Sequence, residues 1–248
     1  MRPYQFYVVK QFADLAPGAS ISNQVQTTFF GEKEDIQTTI TRQQSDSNGS
    51  MSLFRITSEI KHRTRGFIRK AIDGQRSRFD FNEYLEPIDF PAYLNTNRNL
   101  ILFNAPKRAC RGVLSHLRRK SCGIELVEME VDFAEVMHRR SECIGAWFRG
   151  VSTRVQAAGL SGNQIQEDAF FKNLKKVATM SNVTIPWTYD GYEYSIMLTA
   201  SGAVELVQNT AGNVALELNI VMDVYEQLLQ HVWHERKRKD NGLCPGEP

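Results

Sequence analysis

Between Lys107 and Lys120 the chain carries six cations and no acid: Lys107, Arg108, Arg111, Arg118, Arg119 and Lys120. A second basic stretch runs from Arg55 to Arg78, where eight Lys and Arg residues face only Glu59 and Asp73. Like charges at this density repel unless an anion or a nearby carboxylate offsets them. The planar guanidinium fork suits phosphate oxygens, and Arg outnumbers Lys 19 to 11. The chemistry is therefore capture of a polyanion by its backbone, with Arg63, Arg65, Arg69 and Lys70 on one element and Arg108, Arg111, Arg118 and Arg119 on another. No base-reading motif is visible, so little sequence reading is expected. Phe67 and Phe79 lie among the cations, as stacking partners for unpaired bases or simply as core. Internal neutralisation is the competing account, since Glu125, Glu128, Glu130, Asp132 and Glu135 follow the second cluster directly.

Catalysis has weaker footing. A metal-dependent nuclease needs convergent carboxylates and a lysine to hold Mg²⁺ and orient water. Asp46, Glu59 and Lys61 have that form, and on a strand Glu59 and Lys61 share one face. Yet Glu-x-Lys recurs at Glu235 and Lys237, so the pattern is close to what composition alone produces. The spacing of Arg111 and His116 resembles an acid–base pair for backbone hydrolysis, but on a helix the two point well apart. His231, His234 and Cys244 make at most three ligands where a zinc site wants four, so no metal is expected there. There is no Gly-x-Ser-x-Gly elbow, no Gly-x-Gly-x-x-Gly and no Walker loop.

The elements that must position these residues are of both kinds. Short runs rich in Thr, Phe, Ile and Val at 4–9, 25–30, 35–41 and 50–60 read as strands. Phe67, Ile68, Ala71 and Ile72 fall at a spacing that predicts a short basic helix over 61–72, stopped by Gly74. Residues 79–98, with Pro87 and Pro91, read as an ordered connection. Leu100–Phe103 predicts a buried strand. In the helix that follows, Cys110, Val113, Leu114 and Leu117 share one face while the cations gather opposite. Gly159–Gly162 reads as a loop, and 164–180 as a helix with Ala169, Phe170, Leu174 and Val177 inward. Asp190-Gly191 between two aromatic and β-branched runs predicts a hairpin. Val204–Gln208 adds a third strand, and Val214, Leu218, Val221, Tyr225, Leu228 and Val232 mark one face of a long helix.

Composition bounds the rest. The 248 residues are 42% hydrophobic and 23% charged, against disorder throughout. The net charge of +2 hides an asymmetry: residues 1–124 hold 19 basic against 11 acidic side chains, and residues 125–248 hold 11 against 17. No apolar run approaches the roughly 18 residues of a membrane span. Four cysteines without a Cys-x-x-Cys pair favour a reduced, cytoplasmic setting. The expected fold is α+β: a β-rich part over 1–78 ending in the basic helix, the connection 79–98, and a mixed portion over 99–248 with a C-terminal antiparallel meander and long helix. The expected function is non-enzymatic nucleic-acid binding without a cofactor, DNA and RNA both open. The alternatives are the Mg²⁺-dependent nuclease and a subunit of a homo-oligomer or larger protein complex, with its acidic half meeting basic surfaces.

Overall fold

The computed structural model describes residues 3–43, 51–72, 75–119, 123–208 and 210–235. It is mixed α and β and strand-rich, and the chain divides into two compact units, Met1–Leu126 and Val127–Pro248. Among the described residues no helix is long and apolar enough to cross a membrane.

The first unit contains β1 (Tyr4–Gln11), β2 (Ser20–Phe29), β3 (Glu32–Arg42), β4 (Ser52–Ile72), β5 (Gln75–Asn95), β6 (Leu100–Asn104) and α1 (Lys107–Arg119). Its strands follow the order β2-β3-β4-β5-β6-β1, antiparallel throughout. Alternation along the strands puts Ile40, Phe54, Ile56, Phe90, Ala92, Ile101 and Phe103 into one core with Cys110, Val113, Leu114 and Leu117 of α1. Each buried Leu or Val contributes about 1.5–3 kcal/mol. The apolar stripe of α1 thus packs as its spacing requires, and Arg108, Arg111 and Arg118 are left exposed.

Two expectations fail in this unit. Residues 61–72 are not a helix but the outer half of β4, and 79–95 are not a connection but most of β5. The two strands pair from Ser52↔Leu94 to Ile72↔Gln75, with one register shift between Arg63 and Gly66. A non-local ladder of that length overrides the weak local helical spacing. Pro87 and Pro91 are tolerated because β6 pairs only with Ala92–Asn95. Over the preceding stretch the second edge of β5 has no ladder on the β6 side to lose, which is where proline is admitted. The outer halves of β4 and β5 form a two-stranded arm. Its root carries a bulge between Arg63 and Gly66.

The second unit begins in β7 (Glu125–Val131) and continues through α2 (Phe133–Arg139), β8 (Gly145–Arg149), β9 (Ala157–Ser161), α3 (Ala169–Val177), β10 (Thr179–Tyr189), β11 (Tyr192–Thr199), β12 (Ala203–Leu206) and α4 (Val214–Val224). A π-helical stretch, Tyr225–Leu229, and one further turn extend α4 to β13 (Trp233–Glu235), which pairs with β7. The sheet order is β12-β11-β10-β8-β9. Asp190 and Gly191 both have positive φ, 50° and 77°, as a two-residue primed turn between β10 and β11 demands. Residues 157–161 form an edge strand against β8 and not a loop. Asp168 caps the N-terminus of α3, a 3₁₀ turn precedes it and β10 begins at Thr179, so the expected 164–180 helix is shorter at both ends. The inward residues of α3 are Phe171 and Leu174, while Phe170 and Val177 are exposed.

Candidate nucleic-acid interface

The arm and α1 belong to the same unit and meet at the arm's root. A Cβ on Gly112 would lie 2.5 Å from Cδ1 of Ile60, so only glycine lets the helix settle this close to β4. One turn later His116 is buried beneath α1. Its Nδ1 lies 3.1 Å from Thr38 Oγ1 and 3.3 Å from Ser58 Oγ, and Asn23 Nδ2 donates to its carbonyl at 2.8 Å. That polar cluster anchors the helix across β2, β3 and β4. It also separates His116 from the exposed Arg111. The first arm cation without an ion pair to a described carboxylate, Arg63, follows Ile60 by three residues, about 10 Å along an extended strand.

The cations of β4 and β5 divide into two groups. Arg55 pairs with Asp89, Lys61 with Glu83 at 2.7 Å and Arg78 with Asp80 at 2.7 Å. Arg63 stands directly opposite Glu83 and favours its ionised form without a close ion pair. Arg65 and Arg69 on the arm, and Arg108 and Arg111 on α1, are exposed and make no ion pair with a described carboxylate. Arg69 is moreover the direct cross-strand partner of Arg78, and both guanidinium groups lie over Phe67, at 5.7 and 4.4 Å from its ring centre. Like charges set opposite each other destabilise a sheet pair. The Phe67 ring and Asp80 offset part of that cost. The side chains of Lys70, Phe79 and Arg119 lie outside the described residues.

A concavity of about 610 Å³ opens at this point, lined by Phe30, Arg65, Gly66, Phe67, Arg78, Asp80, Phe81 and Asn82. Phe30 reaches it from the β2–β3 turn, where it adopts φ 48° beside Gly31 at φ 85°. That left-handed conformation is costly for an aromatic residue. Glu83 holds it in place by accepting from the Phe30 N–H, while Lys61 donates to the Thr28 carbonyl. At Gly66 a Cβ would come within 2.5 Å of the Phe81 ring, so this glycine is needed for the ring to lie across the bulge. Of these lining residues the sequence reading named Arg65 as a contact and Phe67 as a stacking candidate, and missed Phe30, Arg78, Phe81 and Asn82. The one local signal was an aromatic residue immediately before the turn glycine, Phe30-Gly31, where Asn-Gly would be the easy choice.

Glu83 yields a pH prediction. Hydrogen bonding from Lys61, then from the Phe30 N–H, holds its carboxyl below the usual glutamate range. A depressed folded-state value means that the stabilisation is complete at neutral pH and disappears as pH falls through that value. The Phe30 amide resonance is therefore expected to titrate with a midpoint below that of a glutamate in an unstructured peptide. Glu83→Gln abolishes the transition. A midpoint at or above the ordinary range refutes the docking.

Of the residues of the nuclease alternative, Glu59 and Lys61 lie within the described residues. Asp46 lies outside the described residues, and Lys61, on the same pleat face as Glu59, is committed to Glu83. Among the described residues no group of three or more His, Cys, Asp and Glu side chains is placed to hold a metal ion. Burial pushes the Cys110 thiol up to about 12 and raises that of Cys143, so neither is a thiolate at neutral pH. No protein-family model matches the chain, and no curated protein matches it.

Proposed function

We propose that the first unit binds nucleic acid through the phosphate backbone, the arm and the exposed face of α1 serving as two contact elements. The observation that carries this reading is the set of four exposed arginines, Arg65, Arg69, Arg108 and Arg111, without a described carboxylate partner. Arg69 set against Arg78 adds a local positive excess that an anion relieves. On α1 the spacing Arg108, Arg111, Arg118 lays cations along one stripe about 15 Å long, the scale of a few backbone phosphates. Contacts of this kind position a strand without reading its sequence.

Four phosphate contacts give log affinity against log salt a slope of about −3 for a single strand. Affinity for a labelled oligonucleotide, followed by fluorescence anisotropy, is expected to fall about fiftyfold between roughly 50 and 200 mM salt. Binding that ignores salt, or no binding at the lower concentration, removes the proposal.

A further inference from the structure

We infer that the concavity beside the arm is a stacking site for an unpaired nucleobase, so that the preferred ligand is a single strand and not a duplex. The inference rests on the nucleic-acid reading above and adds what the site itself holds. Phe30 is 56% and Phe67 50% exposed, although both line the same hollow as Phe81. Aromatic rings left open in a concave site retain apolar surface that a flat ligand covers. Phe30 keeps this position in a strained backbone conformation, fixed from outside by Glu83.

The charge pattern says which part of a nucleotide enters. Asp80 lines the hollow and repels phosphate. Its Oδ1 is held by Nε and Nη2 of Arg78 at 2.8 and 2.7 Å, and that guanidinium stacks on Phe67. Apart from the Arg65 cation, the lining offers rings, the Arg78–Asp80 ion pair and the Asn82 amide, which suits a flat heterocycle whose phosphate meets Arg65. The cations without a described carboxylate partner, Arg65 and Arg69, belong to the same short stretch as Phe67. A base stacked inside with its phosphates on these arginines follows the usual arrangement of single-strand binders. Every base has a π-face, so the site is sequence-tolerant. A duplex hides its bases in the stack and gains only the phosphate contacts.

The test uses the full chain with labelled 20-nucleotide DNA and RNA of unstructured mixed sequence, and the corresponding 20-base-pair duplexes, at fixed low salt. The single strands are expected to bind at least tenfold more tightly than the duplexes. The DNA and RNA arms show whether the ribose matters. Phe67→Ala and Phe30→Ala each lower single-strand affinity about tenfold, leave duplex affinity unchanged and leave the salt slope unaltered. Phe67→Leu keeps apolar bulk without the ring and behaves like Phe67→Ala, whereas Phe67→Trp restores binding and its fluorescence is quenched on strand addition. Steep salt dependence with wild-type affinity in the Ala and Leu variants overturns the stacking site and leaves the phosphate reading standing. Failure of wild type to bind either strand form overturns both.

Discussion

Reversing Arg65 and Arg69 together, or Arg108 and Arg111 together, is expected to lower oligonucleotide affinity on the order of a hundredfold at about 50 mM salt. Combining all four reversals is expected to abolish measurable binding. Each lost phosphate contact removes about 0.7 from the salt slope, so either pair flattens it by about 1.4 as well as weakening the complex. Both measures must move together, because an affinity loss at constant slope would mean that a non-electrostatic contact had been damaged instead. Folding stability provides the control. All four side chains are exposed, where substitutions typically stay within about 0.5 kcal/mol. Arg69→Glu faces Arg78 across the ladder, so it replaces a repulsive pair with an attractive one and does not lower stability. A variant as stable as wild type that binds poorly separates the ligand role from a structural one. If one pair is silent, only the other element meets the strand. If both are silent, the proposal is wrong.

The arginines of that experiment were legible in the sequence because clustered charge needs no tertiary information to be noticed. Their setting was legible only in part. The α1 face was readable, since Cys110, Val113, Leu114 and Leu117 recur at the helical period and Gly112 and His116 do not disturb it. The β10–β11 hairpin was readable because Asp190-Gly191 is a local turn signal between two β-rich runs. The arm was not. Phe67, Ile68, Ala71 and Ile72 mimic one turn of an amphipathic helix, and what makes them a strand is a partner strand whose paired residues lie 3 to 13 positions further on. The same non-local pairing sets Arg69 opposite Arg78 and Lys61 beside Glu83. It therefore decides which cations are neutralised, a question that counting charges along the chain leaves open. Phe30 and Phe81 meet Phe67 only after β2, β4 and β5 are aligned, so the hollow has no signature in any one segment.

In the second unit the largest effect is expected at Trp187, and it is one of stability. Trp187 sits in β10, is 2% exposed and carries polar partners on both its edge and its face. Its Nε1–H donates to Asp223 Oδ2 at 2.9 Å, and the Arg140 guanidinium lies 4.0 Å from the ring centre. Asp223 Oδ1 accepts in turn from Gln227 Nε2 at 2.6 Å. The ring thus joins β10, the end of α2 and α4. Burial lowers the Arg140 guanidinium from its ordinary value, opposed by Asp223, yet a guanidinium stays charged. Removing the ring therefore strips a packed surface from a cation that cannot neutralise itself. Trp187→Ala is expected to cost about 3–5 kcal/mol by cavity formation alone, a large share of the 5–15 kcal/mol typical of a folded protein. Trp187→Phe keeps most of the packing and the face for Arg140 but leaves Asp223 Oδ2 without this donor, for about 1–2 kcal/mol. Asp223→Asn keeps an acceptor and removes the negative charge that favours the Arg140 cation, so its cost should fall nearer the Phe variant than the Ala variant. Urea unfolding of the three variants checks the order. A Trp187→Ala loss below about 1 kcal/mol would mean that β10 and α4 are held together elsewhere, and that the Arg140–Trp187–Asp223 arrangement is incidental to the unit's stability.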